Sequence, residues 1–162
     1  HITYFYYIRS NLNEKDFIIQ KEELSEVKWF DIDEVIDMIK KNDSSIVLKL
    51  TYDKNSFLLT GDATSNVEKK NCDEDIKSDV LKVAHHGSIY SSSDEFLDSV
   101  GAKYAVISVG KNNSYNHPSN KTLEKLSKRN IKIYRTDIDG TITFTSNGEN
   151  LSVNTHKTDT NG

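Results

Sequence analysis

Two apolar runs in this 162-residue chain end alike, each in a glycine-bearing turn that carries a side chain able to bind a metal ion. The first is Phe57-Leu58-Leu59-Thr60-Gly61-Asp62-Ala63, and the second is Leu81-Lys82-Val83-Ala84-His85-His86-Gly87-Ser88. Short apolar runs closed by turn residues read as strands, and open α/β sheets gather their sites at strand ends. The chain must then fold so that both ends lie on one edge of a sheet. Imidazole and carboxylate suit Zn²⁺ or Mn²⁺. The pattern therefore points to part of a metal-dependent hydrolase site.

The remaining bounds are broad. Hydrophobic residues make up 35% and charged residues 28%, the mix of a soluble globular domain. No apolar run approaches the roughly 18 residues of a membrane span. The amino end, His1-Ile2-Thr3-Tyr4, shows no secretory leader pattern, and no compartment is assigned. A net charge of −4 excludes a broadly basic nucleic-acid clamp and leaves room for a local basic groove. Cys72 is the single cysteine, so neither an intrachain disulfide nor a cysteine metal cage can form.

Charge and pattern change near residue 43. His1 to Asp43 carries 6 basic and 10 acidic residues, whereas the rest of the chain balances at 15 and 15. The first part reads as strand, loop, short strand and helix. Ile2 to Ile8 is rich in β-formers, and Asp33 is placed to cap a helix bearing Val35, Ile36 and Ile39. From Ser44 the order is two strands, a helix, a strand, a helix, a strand, a helix, a strand and a hairpin. The strands are Ser45 to Tyr52, Phe57 to Thr60, Val80 to Val83, Tyr104 to Val109, Ile131 to Tyr134, Thr141 to Phe144 and Leu151 to Val153. Asp53-Lys54-Asn55-Ser56, Asp139-Gly140 and Asn147-Gly148 read as turns. Ser92-Ser93-Asp94-Glu95 has the form of a capping box. Tyr104 to Val109, unbroken by polar residues, reads as a strand covered on both faces. Asn154 to Gly162 reads as a frayed polar tail.

The chemistry-bearing residues each have two readings. Asp62 is able to bridge metal ions, and equally to serve as a turn residue or helix cap. Adjacent strand residues point to opposite faces, so at most one of His85 and His86 would face a metal centre, leaving the other to support a metal ligand or to meet a substrate phosphate. Gly87 permits close backbone approach, and Ser88 can donate a hydrogen bond to substrate. His117, in a polar loop before a helix amino end, could hold a phosphate or shuttle a proton, or be merely exposed. Lys82 and Lys111 could contact phosphates. His1 and His156 carry no role.

Two resemblances follow from these residues. Glu22-Glu23-Leu24-Ser25-Glu26-Val27-Lys28-Trp29-Phe30 with Asp33-Glu34-Val35 resembles the carboxyl-terminal part of a Nudix hydrolase domain, without that family's metal-binding helix. Ser44 to Leu50, Leu59-Thr60-Gly61-Asp62, Asp79 to Ser88, Ile107-Ser108-Val109-Gly110, Asn116-His117-Pro118 and Arg135 to Ile142 occur in an order that resembles the distal half of the metallo-β-lactamase-fold domain of the ComEC competence type. That resemblance implies half of an αββα sandwich, a mixed sheet with helices, preceded by a β/α segment. It divides the chain into 1–42 (Nudix-like), 43–155 (metallo-β-lactamase-like) and 156–162 (tail).

It also implies Asp62 as bridging ligand, and His85 or His86 as the last metal-binding histidine, with His85 favoured by analogy. His86, Ser88 and His117 would lie near substrate, and Asp62 and His117 would take part in catalysis. The implied cofactors are two Zn²⁺ or Mn²⁺ ions, and the implied substrate is a phosphodiester such as single-stranded DNA during DNA uptake. The family's histidine-rich first half has no counterpart in the sequence. The chain is therefore expected to be a composite of two parts, by natural fusion, assembly artefact or cropping. Alone it is expected to be inactive and to self-associate through an uncovered sheet. The competing readings are a non-catalytic α/β remnant and a Nudix-type pyrophosphohydrolase fragment.

Overall fold

The computed structural model describes residues 45, 47–72 and 75–157. Residues 1–42, read above as Nudix-like, lie outside the described residues, as does the tail from residue 158. The described chain is α/β with a mixed sheet and helices, as expected. In order it forms β1 (Leu48–Tyr52), β2 (Asn55–Leu59), α1 (Ser65–Asn71), β3 (Val80–Lys82), α2 (Asp94–Val100), β4 (Tyr104–Ile107), α3 (Asn120–Lys128), β5 (Lys132–Arg135), the short α4 (Thr136–Asp139), β6 (Thr141–Ser146) and β7 (Leu151–His156).

Strands β1 to β5 form one sheet in sequential order, β1 antiparallel to β2 and the others parallel. Right-handed crossovers between strands added in one direction place their helices on one face. The registers align Leu58, Leu81, Ala105 and Ile133 in a row. Leu58, Leu81 and Ala105 pack with Ile107 and with Phe96, Leu97, Val100 and Leu126 from the helices in a single buried cluster, and Ile133 lies against it, half-buried. Each fully buried Leu or Phe there contributes about 1.5–3 kcal/mol.

The opposite face carries Leu48, Leu50, Phe57, Leu59, Lys82, Tyr104, Val106 and Tyr134, the alternate positions of the same registers. Here β6 and β7 depart from expectation. They do not complete the sheet but form a separate two-stranded ribbon. Phe144 of β6 meets Phe57, Tyr104 and Tyr134 at ring separations of 6.2, 5.6 and 6.0 Å, the aromatic edge contacts that favour such packing. The ribbon thus covers one end of this face. Leu48 and Leu50 stay about half exposed, at 48% and 51%. Only alternate residues of β4 are fully buried, so the expectation of a strand covered on both faces is half met.

Local differences have local causes. The first turn needs only Asp53 and Lys54, because Tyr52 already pairs with Asn55 and Asp53 adopts φ 50°. β4 stops at Ile107 because the Thr136 hydroxyl takes over at Val109, accepting from its N–H at 2.7 Å and donating to its carbonyl at 2.8 Å. α2 is capped by Ser93, whose hydroxyl accepts from Phe96 N–H, so Ser92 and Glu95 do not form a capping box. The buried carboxylate of Glu68 on α1 instead accepts from the N–H groups of Ser92 and Ser93 at 2.6 and 2.9 Å. β7 runs on to His156, past the expected start of the tail.

Candidate functional site

The ends of β2, β3 and β4 lie side by side because those strands are parallel neighbours. Their following loops carry Asp62, the His85–Tyr90 segment and the Gly110–His117 loop respectively. The first two loops are joined directly, since His85 N–H donates to Gly61 O at 3.0 Å. Below that junction the Thr60 hydroxyl donates to Lys82 O at 2.6 Å. This places Asp62 and His85 on one sheet edge.

The strand geometry assumed for His85 and His86 does not persist. β3 ends at Lys82, and Ala84–Gly87 form a tight turn in which His85, His86 and Gly87 have φ values of 48°, 55° and 82°. Consecutive non-glycine residues in the left-handed region are uncommon and costly. They persist here because neighbours hold them. Ser88 N–H donates to His85 O, and the Ser108 carbonyl lies 2.6 Å from His86 Nδ1. A carbonyl can only accept, so His86 Nδ1 carries a proton, which leaves Nε2 as the ring nitrogen able to bind a metal ion. Histidines that bind metal are commonly oriented in this way.

The loop after β4 brings a third imidazole to the other two. The His117 ring lies 5.7 Å from that of His85, which is 6.3 Å from that of His86. Asn113 grips the backbone of His117 on both sides. Its Oδ1 accepts from His117 N–H at 2.9 Å and its Nδ2 donates to His117 O at 2.7 Å. The His117–Pro118 peptide is cis. Gly87 lies so close to this loop that a Cβ there would fall 2.5 Å from Pro118 Cβ. Ser119 N–H closes the contact on Gly87 O at 2.9 Å. Burial first, and then electrostatic interaction with His85 and His86, hold the His117 pKa below its ordinary value.

Two expected roles meet geometric limits. Ser88 is buried, its hydroxyl accepts from Tyr90 N–H at 3.3 Å, and its carbonyl accepts from the Thr122 hydroxyl. It braces the turn and does not face solvent. Lys82 is half-buried and donates to Val83 O at 3.0 Å. Burial lowers its pKa, and the charge of Asp62 partly opposes that shift. Lys82 is therefore no solvent-facing phosphate contact, whereas Lys111 is exposed.

The fit to a metal ion is partial. His85 Nδ1 is buried without a hydrogen-bond partner, which is costly unless something occupies its lone pair or takes its proton. His86 Nε2 and the exposed Asp62 carboxylate add donors of suitable chemistry. Among the described residues, however, no three His, Cys, Asp or Glu side chains converge to hold one ion, and a catalytic zinc needs about three protein ligands. Sequence reasoning found the three histidines but not Glu68 or Thr136, whose bonds reach residues 24 and 27 positions away, nor Asn113, which grips His117 within its own loop.

Comparison with known proteins adds the family. The family model for the metallo-beta-lactamase superfamily matches residues 11–111. ComE operon protein 3 of Bacillus subtilis is 44% identical over 113 residues, covering 68% of this chain and 15% of that protein. Competence protein ComA of Neisseria gonorrhoeae is 36% identical over 109 residues, 65% of this chain and 16% of that protein. Recombination protein 2 of Haemophilus influenzae is 36% identical over 101 residues, 62% of this chain and 13% of that protein. The chain thus spans 13–16% of the length of these curated relatives. The matched span begins at residue 11, inside the Nudix-like stretch, and none of these similarities supports the Nudix resemblance.

Proposed function

This chain belongs to the metallo-beta-lactamase superfamily, and from that membership we propose that it carries the distal part of a metal-dependent phosphodiester hydrolase site. The observation that carries the reading is the convergence of His85, His86 and His117 on one sheet edge, with His85 Nδ1 buried and unpartnered. Asp62, His85 and His86 are the donors for Zn²⁺ or Mn²⁺. Such ions, when bound, neutralise the phosphate and acidify an attacking water.

The chain's own groups do the rest. The Ser108 carbonyl fixes the His86 tautomer. His117 faces the same space, where it is able to accept a proton from an attacking water or donate a hydrogen bond to a phosphodiester oxygen. The substrate we assign is single-stranded DNA, in keeping with the competence proteins among the relatives.

The shortage of donors supports a second reading for the chain in isolation, a non-catalytic α/β remnant that needs ligands from beyond the described residues. The composite reading, with 1–42 as a separate Nudix-like unit, remains a proposal without similarity behind it. Nucleoside-diphosphate hydrolysis would be its test. The main reading is tested by titrating the chain with Mn²⁺ and following cleavage of a labelled single-stranded oligonucleotide. Weak metal binding that Asp62→Ala or His85→Ala removes supports the site. Cleavage would show that the donors present suffice. Tight binding with both substitutions silent would refute the assignment.

A further inference from the structure

Tyr90 and Tyr115 lie on the two loops that carry the histidines and are the most exposed large apolar side chains among the described residues, at 74% and 77%. A single exposed tyrosine needs no explanation. What sets these apart is that each lies on a loop that also carries one of the histidines, and that both loops are anchored by hydrogen bonds. Tyr115 lies parallel to His117, ring centres 5.9 Å apart and planes inclined by 19°. One of its faces is thereby occupied and the other is left to solvent.

Tyr90 follows Ser88 by two residues, and its backbone is tied at both ends. Its N–H donates to Ser88 Oγ at 3.3 Å, and its carbonyl accepts from Ser65 N–H at 2.9 Å. The next residues are anchored as well, Ser91 through its hydroxyl to Ala63 O and Ser92 through Glu68. The Gly87–Pro118 contact and the Ser119–Gly87 bond hold the two loops against each other. Two aromatic side chains are therefore carried on anchored loops beside the imidazoles. The loop backbones are already held, so binding costs little further loop entropy.

We propose that Tyr90 and Tyr115 form a stacking platform for unpaired nucleobases, holding a single strand whose backbone crosses the imidazole cluster. The platform rests on the phosphodiesterase reading for the placement of that backbone, but its own content is base recognition by π-faces. Stacking of this kind tolerates any base sequence, because every base has a flat face.

The test is fluorescence anisotropy with a labelled thymidine oligomer of about 12 nucleotides and an abasic oligomer of the same length, in the presence of a chelator. The thymidine oligomer should bind more tightly than the abasic one. Tyr115→Ala should raise its Kd about five- to a hundredfold, and Tyr90→Ala should act similarly. Tyr115→Phe should keep most of the affinity, and the melting curves of all three variants should match the parent's. Equal binding of both oligomers, no binding of either, or Ala variants that bind like the parent would overturn the platform. Base-dependent binding in chelator, with tight Mn²⁺ binding that Asp62→Ala and His85→Ala both leave unchanged, would support the platform and sink the hydrolase-site reading alone.

Discussion

Glu68 is the residue whose removal should travel furthest. Its side chain is buried, 1% exposed, yet its two oxygens accept from the Ser92 and Ser93 N–H groups ahead of α2. In Glu68→Ala both donors lose a charged acceptor, and the Ser92 N–H lies in a region that is itself buried. A hydrogen bond to a charged group is worth about 1.5–3 kcal/mol. The Ser93 bond, only part-buried, counts toward the lower end. The summed loss is about 3–5 kcal/mol, a large share of the roughly 5–15 kcal/mol that holds a domain together. Glu68→Gln keeps one acceptor oxygen and should lose about half as much. Urea unfolding followed by circular dichroism should show a lower midpoint with an unchanged slope. The melting temperature should fall by about 6–15 °C for Ala. An Ala variant within about 0.5 kcal/mol of the parent would mean that water or another group satisfies these donors, and would refute the claim that Glu68 holds the loop carrying Tyr90.

Other perturbations should act more locally. Gly87→Ala places a Cβ 2.5 Å from Pro118 Cβ at a residue with φ +82°, so it should destabilise by on the order of 2–3 kcal/mol and weaken any metal binding by moving His85. Differential scanning calorimetry with metal titration checks both effects. Asp79 ties β2 to β4, accepting from Ser56 N–H at 2.9 Å and pairing with Lys103 at 2.9 Å. Burial acts to raise its pKa, but these bonds and the Lys103 charge outweigh it and the net pKa is lowered. A lowered carboxyl stabilises the fold above the unfolded value of 3.8 and loses that contribution as the pH drops through the folded value. The gap in urea midpoint between the parent and Asp79→Asn should accordingly be full at pH 7 and shrink below about pH 4. Leu48 and Leu50 lie exposed on the sheet face beyond the reach of Phe144, so the chain should self-associate and bind a hydrophobic dye. Leu50→Lys should reduce both in light scattering and dye fluorescence.

Much of the fold was legible because it is written in short-range pattern. Phe57-Leu58-Leu59 before Gly61 and Val80-Leu81-Lys82 before the histidines became β2 and β3. The histidines were conspicuous by type. Their arrangement was not, because it depends on two φ values that no local rule assigns to His85 and His86. Nor does alternation in Thr141-Ile142-Thr143-Phe144 reveal which sheet a hairpin joins. That is settled by Phe144 finding Phe57, Tyr104 and Tyr134. The capping box of α2 did not form: Ser93 caps the helix, and the Ser92 and Ser93 N–H groups are met instead by Glu68 on another helix, 24 residues from Ser92.

The central claim, that the imidazoles at the end of β3 are metal donors, is tested most directly by following histidine ring nitrogens by NMR while Zn²⁺ is added. The account predicts that resonances of His85 and His86 move first, with His86 Nδ1 keeping its proton against the Ser108 carbonyl. Asp62→Ala should shift the titration to higher Zn²⁺. Ring shifts confined to His1 and His156, with His85 and His86 unmoved at excess Zn²⁺, would contradict it.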